Sequence, residues 1–489
     1  MRSLSELTAA LQRAGLLVAP PGADPTVEAI VTDSRMVRAG ALYVAVRGSQ
    51  VDGHRFLSDA VARGAVAVVV ERPSGSGVPE VVVSDGRLAA IALARHWYGD
   101  PAARLTLVGI TGTNGKSTTT GIIRHLMNAD GTAGSIGTLG AFDGTGAAVP
   151  STAGSLTTPG PVDLHATFAE LVARGVRTVA MEASSHSLDQ GRLDGLSFRA
   201  AVFTNLTREH LDYHGTMEAY LAAKLRLPAL LGPDGVEIVN RDDDAWLAMP
   251  PAPPSRRITF GVHPDANVRA EDVRSELAGT TFTLRSRWGR AEVRTPFVGD
   301  FNVANALGAI AAALALGRPL GEVVERIATA PQVPGRMQVL HGGEFVVLSD
   351  YMHTPDAYER VLSTLRPLTP GRLIVLFGCG GDRDRGKRPM MGRIAVEKAD
   401  LVMLTTDNPR SEDPERIIAD IQAGTVGAPP GRVVSILDRE EAIHAAVALA
   451  RPGDTIVLAG KGPERYQIYG TEKVPFDEPA IVASAVGRR

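Results

Sequence analysis

RLTLVGITGTNGKSTTTGIIRHLMNA, residues 104–129, places a β-branched run, a glycine-rich turn and a helical pattern in direct succession. A turn of this kind between a strand and a helix aims several backbone N–H groups inward and adds the helix N-terminus, so it cradles a polyphosphate. A lysine then reaches the outer phosphates, and a Ser or Thr hydroxyl binds magnesium. Gly112, Gly115, Lys116 and Ser117 fill these parts, with Thr113, Asn114 and Thr118 completing the loop, so the stretch reads as an ATP site. The general pattern G-x-x-x-x-G-K-[ST] wants glycine at position 110; Ile110 stands there and Gly109 lies one place early, which makes the match a variant. A phosphate loop alone serves kinases, motors, switches and ligases alike, so the rest of the chain has to choose among them.

Outward from this stretch the alternation continues with VDLHATFAELVARG and RTVAME, then AAVFTN and MEAYLAAKL. That is the signature of a parallel sheet with crossover helices. It restarts after PQVPGR with FVVLSDY, a helix from Asp356, RLIVLFG, RIAVEKA, DLVMLTTD, ERIIADIQ and TIVLAG, so two separate α/β domains are expected. With the segment ahead of them, the 489 residues divide into three expected domains, 1–98, 99–330 and 331–489. The proline-rich stretches PSGSGVPE and MPPAPPSRR read as surface excursions. In open sheets of this kind ligands sit beyond the carboxyl ends of the strands. The polar clusters TGTNGKS, EASSH, TNLTREH, DYMHTP, GCGGDRD, TDNPR and GKGPE fall at such ends, so ligand chemistry is expected between the two α/β domains.

Composition narrows the class further. Hydrophobic residues at 44% and charged residues at 21% fit a globular protein, and a formal net charge of −3 gives no general attraction to nucleic acid or to an anionic membrane. A phosphorylated ligand must therefore be caught by local groups. At the N-terminus, Leu4, Leu7, Leu11 and Leu16 space as one face of a short helix that carries Glu6, unlike a signal peptide or a membrane span. A cytoplasmic protein without membrane insertion is expected. The single cysteine, Cys379, excludes an internal disulfide framework and a cysteine metal cluster, and reads as a small residue in a glycine-rich turn.

Two residues past predicted strands bear on the phosphates. Glu182 ends RTVAME and His210 sits in TNLTREHLDYHG. Magnesium prefers oxygen donors, so Glu182 is a candidate ligand, whereas an imidazole on magnesium is unusual and His210 by itself reads as a structural histidine.

TGTNGKS, TTPGP, MEASSHSLDQGR, FTNLTREHLDYHG with AAK downstream, GDFNVANALGA, VPGRM, DYMHTPDA, GCGGDRDRGKRP, DNPR and GKGPE together resemble the Mur ligase family. The resemblance runs from TDSR near 32 to the end of the chain, with GCGGDRDRGKRP and DNPR as its discriminating pieces. It implies an α/β fold of three domains: an N-terminal domain gripping a UDP-sugar, a central phosphate-loop ATPase with a parallel sheet, and a C-terminal Rossmann-like domain carrying an amino-acid site. The implied reaction is ATP-dependent addition of the third amino acid to UDP-N-acetylmuramoyl-L-alanyl-D-glutamate in peptidoglycan synthesis, with Mg2+ as cofactor and a monomeric enzyme.

By the same carry-over, Ser34, beside Asp33 and Arg35, contacts the uridine portion, and Gly48, Asp52, Gly53 and His54 form a nearby loop. Thr157, Thr158, Ser184, Gln190 and Arg192 hold the UDP-sugar dipeptide around its reacting end. Hydroxyls, an amide and a guanidinium suit a ligand rich in carbonyls and carboxylate. Lys224 reads by itself as a solvated lysine on an amphipathic helix; the resemblance implies its carbamylation, which turns a cation into a metal-binding carbamate. Ser117, Glu182, His210 and Lys224 thus form the implied metal set. Asn302, Asn305, Arg336 and Asp350 complete the ATP site, the last two on a C-terminal domain whose closure assembles catalysis, and His353 orients groups there.

The implied chemistry activates the D-glutamyl side-chain carboxylate by phosphorylation, after which the amine attacks the acyl phosphate. Arg383, Asp407, Asn408, Pro409, Arg410, Gly460 and Glu464 match the amino-acid pocket. An arginine fork binds a carboxylate and an acidic group holds an ammonium, which favours meso-diaminopimelate. Met352, Pro463, Gln338 and Glu209 depart from the family pattern, and the first two fall near that pocket. L-Lysine and L-ornithine stay open as the added amino acid. Another amide ligase of the superfamily, such as a folylpolyglutamate synthase, and a non-catalytic ATP-dependent binding protein are the competing readings.

Overall fold

The β-branched run ahead of the glycine-rich turn forms the strand Thr106–Thr111, with Leu107, Val108 and Ile110 buried. It is flanked on both sides by parallel neighbours, Thr178–Glu182 and Phe198–Phe203. Ala133–Gly137 extends this sheet beyond the first, and Leu231–Asn240 followed by Arg257–Gly261 beyond the second, all parallel. Helices on both faces leave each central strand buried on two sides, which is why these runs read as continuous apolar segments rather than alternating ones.

The computed structural model describes residues 1–48, 51–150 and 156–489. They form two units: Met1–Ala270 with Leu284–Ala291 and Ala304–Ile327, and Glu271–Thr283 with Glu292–Val303 and Ala328–Arg489. Every residue singled out in the sequence lies within the described segments. Among those residues no helix is long and apolar enough to cross a membrane.

The first unit holds a second sheet near the N-terminus, ordered Leu17–Ala19, Glu80–Val83, Ala65–Val70, Ala41–Val44, Ala29–Val31. It is parallel except for its edge strand Leu17–Ala19. Leu4, Leu7 and Leu11 of the helix Leu4–Arg13 pack on it, but the helix ends before Gly15, whose φ is +70°, so Leu16 belongs to the following turn and not to the helix face. The helix Gly86–Tyr98, capped by the Asp85 carboxylate at the N–H groups of Arg87 and Leu88, packs against Pro161–Ala173 of the central layer.

The second unit carries a six-stranded sheet ordered Gln338–His341, Val346–Asp350, Thr455–Ala459, Leu373–Phe377, Leu401–Leu404, Val433–Ser435. Only the first of these is antiparallel to its neighbour. Side chains alternate between two cores: Leu348, Val375 and Val457 face one, and Val347, Ile374 and Ile456 face the other. The strands not read from the sequence include Val268–Glu276, Gly279–Ser286 and Gly289–Thr295. Their longest buried stretch is Phe282–Leu284 and charged residues are interleaved elsewhere, so they carry no extended apolar run, and the division between the two units falls within them.

Candidate active site

In the first unit the glycine-rich turn has φ of +147° at Gly112 and +84° at Gly115, where a Cβ would collide with Thr204 Oγ1 and Asn305 Oδ1 respectively. Both positions therefore require glycine. The loop is sewn to the end of the adjacent strand: Thr113 N–H donates to Asn205 O at 2.7 Å, Asn114 N–H to Asn205 Oδ1 at 2.9 Å, and Thr204 Oγ1 to Asn114 O at 2.7 Å. Gly109, the glycine that sits one place early, has a different task. A Cβ there would press on the Phe198 ring at 3.1 Å, so it serves sheet packing, while Ile110 is core. Lys116 is folded over the loop, its Nζ donating to the carbonyls of Gly112 and Thr113 at 3.0 and 2.7 Å. Ser117 and Thr118 are buried in the first turn of the helix Lys116–Met127, and Asn305 Oδ1 accepts from Thr119 Oγ1.

Glu182 lies in register with Ile110 at the end of the next strand and is buried. Its Oε1 accepts from Thr138 N–H at 2.9 Å and its Oε2 from Thr138 Oγ1 at 3.2 Å. His210 adopts a left-handed φ of +56° and opens the short helix Leu211–His214, with its ring edge-on to His186 at 4.8 Å. Burial lowers its pKa, Glu209 opposes that, and Lys116 and Lys224 add to it. Lys224 ends the helix Met217–Lys224 and is 1% exposed, which overturns its reading as a solvated lysine. Its Nζ donates to Gly112 O at 2.7 Å and lies 4.3 Å from the Tyr220 ring centre; burial, then the nearby Lys116 charge, push its pKa well down.

Thr157, Thr158, Ser184, Gln190 and Arg192 come together in one network that ends on Glu182. Thr158 Oγ1 donates to Glu182 O at 2.8 Å and accepts from Ser184 N–H at 3.2 Å. Arg192 donates through Nη1 to Thr158 O at 2.9 Å and forks Gln190 Oε1 through Nε and Nη2 at 2.9 and 2.6 Å. Thr157 Oγ1 meets Thr138 Oγ1 at 3.1 Å. Sequence reasoning missed Thr138 and Tyr213, whose hydroxyl accepts from Gln190 Nε2 at 3.2 Å and donates to Asp189 at 2.8 Å; neither stands out by residue type. Ser34 follows the edge strand Ala29–Val31 of the N-terminal sheet, buried at the start of the turn Ser34–Met36 that Asp33 caps, with Arg35 paired to Asp33 at 2.6 Å. Nearby in sequence, Asp52 accepts from His54 N–H at 3.0 Å, and a Cβ at Gly53 or Gly48 would press on backbone carbonyls.

In the second unit Asp350 is buried and works as a staple. Its Oδ2 accepts from Met337 N–H and its Oδ1 from Met352 N–H, both at 2.8 Å, while burial raises its pKa. Arg336 lies over the Tyr351 ring at 4.9 Å, His353 Nδ1 faces Tyr351 O at 2.8 Å, and Asn302 Nδ2 donates to Val298 O at 2.9 Å. The departures from the family pattern are absorbed locally. Met352 is buried in the core, so its bulk does not enter the loop surface. Gln338 Oε1 accepts from Gly335 N–H at 3.0 Å, and Glu209 lies 3.8 Å from His210. Pro463 stands inside the turn closed by Glu464 N–H on Lys461 O at 3.0 Å, where its own missing N–H is not called upon.

Three segments interleave beside that turn. A Cβ at Gly381 would collide with Pro409 O, and one at Gly460, φ +101°, would lie 3.2 Å from Asp407 Oδ2. Arg410 has a φ of +51° and donates through Nη1 to Gly381 O at 2.9 Å. Arg383 is exposed, donating to Asp382 O at 3.0 Å, and Gly380 lies beneath both arginine side chains. Asn408 Nδ2 donates to Glu464 Oε2 at 2.8 Å. Arginines and a carboxylate brought together in this way can hold the carboxylate and ammonium ends of an amino acid. Sequence reasoning passed over Lys461, which lies buried among them.

A parallel-sheet phosphate loop joined in one chain to a Rossmann-like α/β unit points to the class of ATP-dependent ligases. The profile of the Mur ligase middle domain matches residues 110–313, that of the Mur ligase glutamate ligase domain matches 335–462, and that of the Mur ligase family catalytic domain matches 26–102. The UDP-N-acetylmuramoyl-L-alanyl-D-glutamate--2,6-diaminopimelate ligase of Geobacillus kaustophilus is 45% identical over 96% of both chains. The protein of the same name from Synechococcus elongatus is 44% identical over 95% of both. A solved structure of such a ligase superposes with a TM-score of 0.67 at 36% identity, covering 94% of this chain and 95% of its own. Folylpolyglutamate synthase of Mycobacterium tuberculosis shares the fold, at 18% identity, a TM-score of 0.61, and 76% and 92% coverage. The chain belongs to the Mur ligase family and is an ATP-dependent ligase of three-domain α/β fold.

Proposed function

We propose that this ligase joins meso-diaminopimelate to UDP-N-acetylmuramoyl-L-alanyl-D-glutamate, with ATP driving the amide bond, in peptidoglycan precursor synthesis. The observation that carries the reading is likeness along nearly the whole chain to ligases of that name; it is supported by Arg383 and Arg410 lying over Gly380 and by Asn408 bonded to Glu464. Domain limits near 98 and 330, action as a monomer and residence in the cytoplasm belong to the same proposal.

In this reading the loop 111–118 holds the triphosphate through backbone N–H groups, and Lys116 leaves the Gly112 and Thr113 carbonyls to neutralise the γ-phosphate. Arg192 and Gln190, pre-aligned on each other, orient the dipeptide, and Thr158 and Ser184 fix its reacting end next to Glu182. The D-glutamyl carboxylate attacks phosphorus, ADP leaves, and the acyl phosphate is then opened by the amine with release of phosphate. Arg383 and Arg410 hold a carboxylate of the amino acid, and Glu464 holds an ammonium. Asn302, Asn305, Arg336, Asp350 and His353 are assigned to nucleotide binding and orientation, and Ser34 to the uridine.

The donor set fits magnesium on one condition. Glu182 and Ser117 supply oxygen, but the Lys116 ammonium on Gly112 O opposes a divalent cation, and the Lys224 amine meets the same oxygen. A buried Lys224 whose pKa is driven down presents the neutral amine that condenses with carbon dioxide, and the carbamate formed reverses its charge. Magnesium bound by Glu182, Ser117, His210 and carbamylated Lys224 would supply charge neutralisation at the phosphates.

The test is phosphate release from ATP, magnesium and the UDP-muramoyl dipeptide, run in parallel with meso-diaminopimelate, L-lysine and L-ornithine, with products identified by mass. Ligation of diaminopimelate alone is expected. Preference for L-lysine or L-ornithine would keep the ligase and overturn the pocket assignment, and absence of any nucleotide-sugar product would overturn the function.

A further inference from the structure

Lys461 is fully buried, yet it lies among the polar groups assigned to the amino acid. Its Nζ is 2.9 Å from Asn408 Oδ1, 2.9 Å from Glu464 Oε2 and 3.4 Å from Asp407 Oδ1. The two carboxylates are not sealed with it: Glu464 keeps 20% and Asp407 11% of its side chain exposed, against 0% for the lysine. The ammonium therefore cannot be the group that meets a ligand, while the carboxylates can. Asp407 Oδ1 is buried without any hydrogen-bond partner among the described residues, held only by the ammonium charge. Glu464 and Asn408, in contrast, are fixed to each other and to Lys461 at hydrogen-bond distance.

Burying an ammonium costs several kcal/mol unless good partners compensate it, and two neighbouring carboxylates repel unless a cation stands between them. Lys461 and its partners meet both needs at once. Apart from Arg383 and Arg410, which are assigned to a carboxylate, the formal charges of Asp407, Glu464 and Lys461 sum to −1, which matches a single ammonium of the incoming amino acid.

Resting on the ligase reading above, we propose that Lys461 is a positioning and specificity-determining residue. It is an internal ammonium that orients Glu464 and Asn408 and sets the pocket charge to accept a zwitterionic centre, one ammonium with its own carboxylate, in preference to a net-cationic amino acid. meso-Diaminopimelate carries such a centre at each end, whereas the far end of L-lysine is an ammonium without a carboxylate. Removing the internal cation makes the pocket more negative and favours L-lysine; removing a carboxylate does the opposite.

The experiment reads the ratio of apparent affinities for L-lysine and meso-diaminopimelate, each as substrate or competitor, in the full-length enzyme. Lys461→Met is expected to raise that ratio at least about tenfold, Glu464→Gln to lower it by a similar factor, and Lys461→Arg to leave it near the wild-type value. KM for ATP and for the UDP-muramoyl dipeptide should stay within about twofold, which a general loss of structure would not allow. Shifts in the same direction for Lys461→Met and Glu464→Gln, or a ratio that does not move, would overturn the proposal. If Lys461→Met fails to fold, the Glu464→Gln arm decides by itself, since an unmoved ratio there removes the charge argument. Wild-type enzyme that ligates neither amino acid would instead overturn the ligase reading on which this rests.

Discussion

Lys116 and Lys224 both donate to the Gly112 carbonyl, and this shared oxygen says more about the site than either lysine does in sequence. Like charges at this separation are tolerated only if one is neutral or converted. Lys116 is half-buried and lies over the phosphate loop, so Lys116→Ala should lower kcat/KM by about a thousandfold with an unchanged melting temperature. Lys224 is sealed in, so the expected behaviour is different: turnover should depend on bicarbonate, isotopically labelled bicarbonate should leave a carbamate signal, and Lys224→Met should lose both along with at least a hundredfold in kcat. A normal rate in bicarbonate-free buffer would sink the carbamate. Residue types alone could nominate Lys116, because the loop motif carries its own geometry. Nothing local distinguishes Lys224 or Lys461 from an exposed helix or turn lysine, because their burial comes from segments distant in sequence.

At the scale of elements, the strand ends of the second unit are held by a buried ion pair. Arg439, at the start of the helix Arg439–Leu449, and Glu478, at the start of Glu478–Gly487, meet at 2.6 Å with side chains 0% and 1% exposed. Arg439 also donates to Ala459 O at 2.9 Å and Ser349 Oγ to Glu478 Oε2 at 3.2 Å, so the pair grips the residues just before Gly460 and Asp350. Arg439→Met should destabilise the fold by roughly 3–5 kcal/mol, because it leaves Glu478 buried and unpaired, and the double substitution Arg439→Met/Glu478→Leu should cost clearly less. Urea unfolding of the wild type and the two variants checks this, and equal costs for the single and double changes would count against it. Parallel strands such as Thr106–Thr111 and Leu373–Phe377 were legible because two-faced burial makes them uniformly apolar. The strands between 268 and 295 were not, because one-faced burial interleaves charged residues and hides the run.

For the first unit as a whole, the N-terminal and central layers meet where Pro161–Ala173 packs on Gly86–Tyr98, and His165 is buried at that level. Its Nδ1 has no partner among the described residues, its ring stands edge-on to Phe168 at 6.0 Å, and burial lowers its pKa to about 4, with Asp100 opposing and Arg95 adding to the shift. The folded state thus refuses a proton that the unfolded chain accepts below its ordinary pKa of 6.5. Stability from this residue is complete above that value, declines as the pH falls, and is fully lost below about 4. His165→Leu should remove the dependence, narrowing the difference in melting temperature between neutral and mildly acidic buffer by several degrees, on the order of 2 kcal/mol near pH 5. A variant with the wild-type pH slope would reject the assignment.

The sequence determined the phosphate loop, the α/β alternation and the strand-end positions of the polar clusters, because glycine requirements, apolar runs and helix periodicity are local properties written residue by residue. Only the tertiary structure decided that Gly109 packs under Phe198, that Met352 points into the core, that Lys224 is a buried amine on the Gly112 carbonyl, and that Lys461 is an interior cation facing chosen oxygens. Those outcomes depend on which distant segment fills the space beside each side chain, and solvent exclusion by that neighbour is what turns an ordinary lysine into a charge the site is built around.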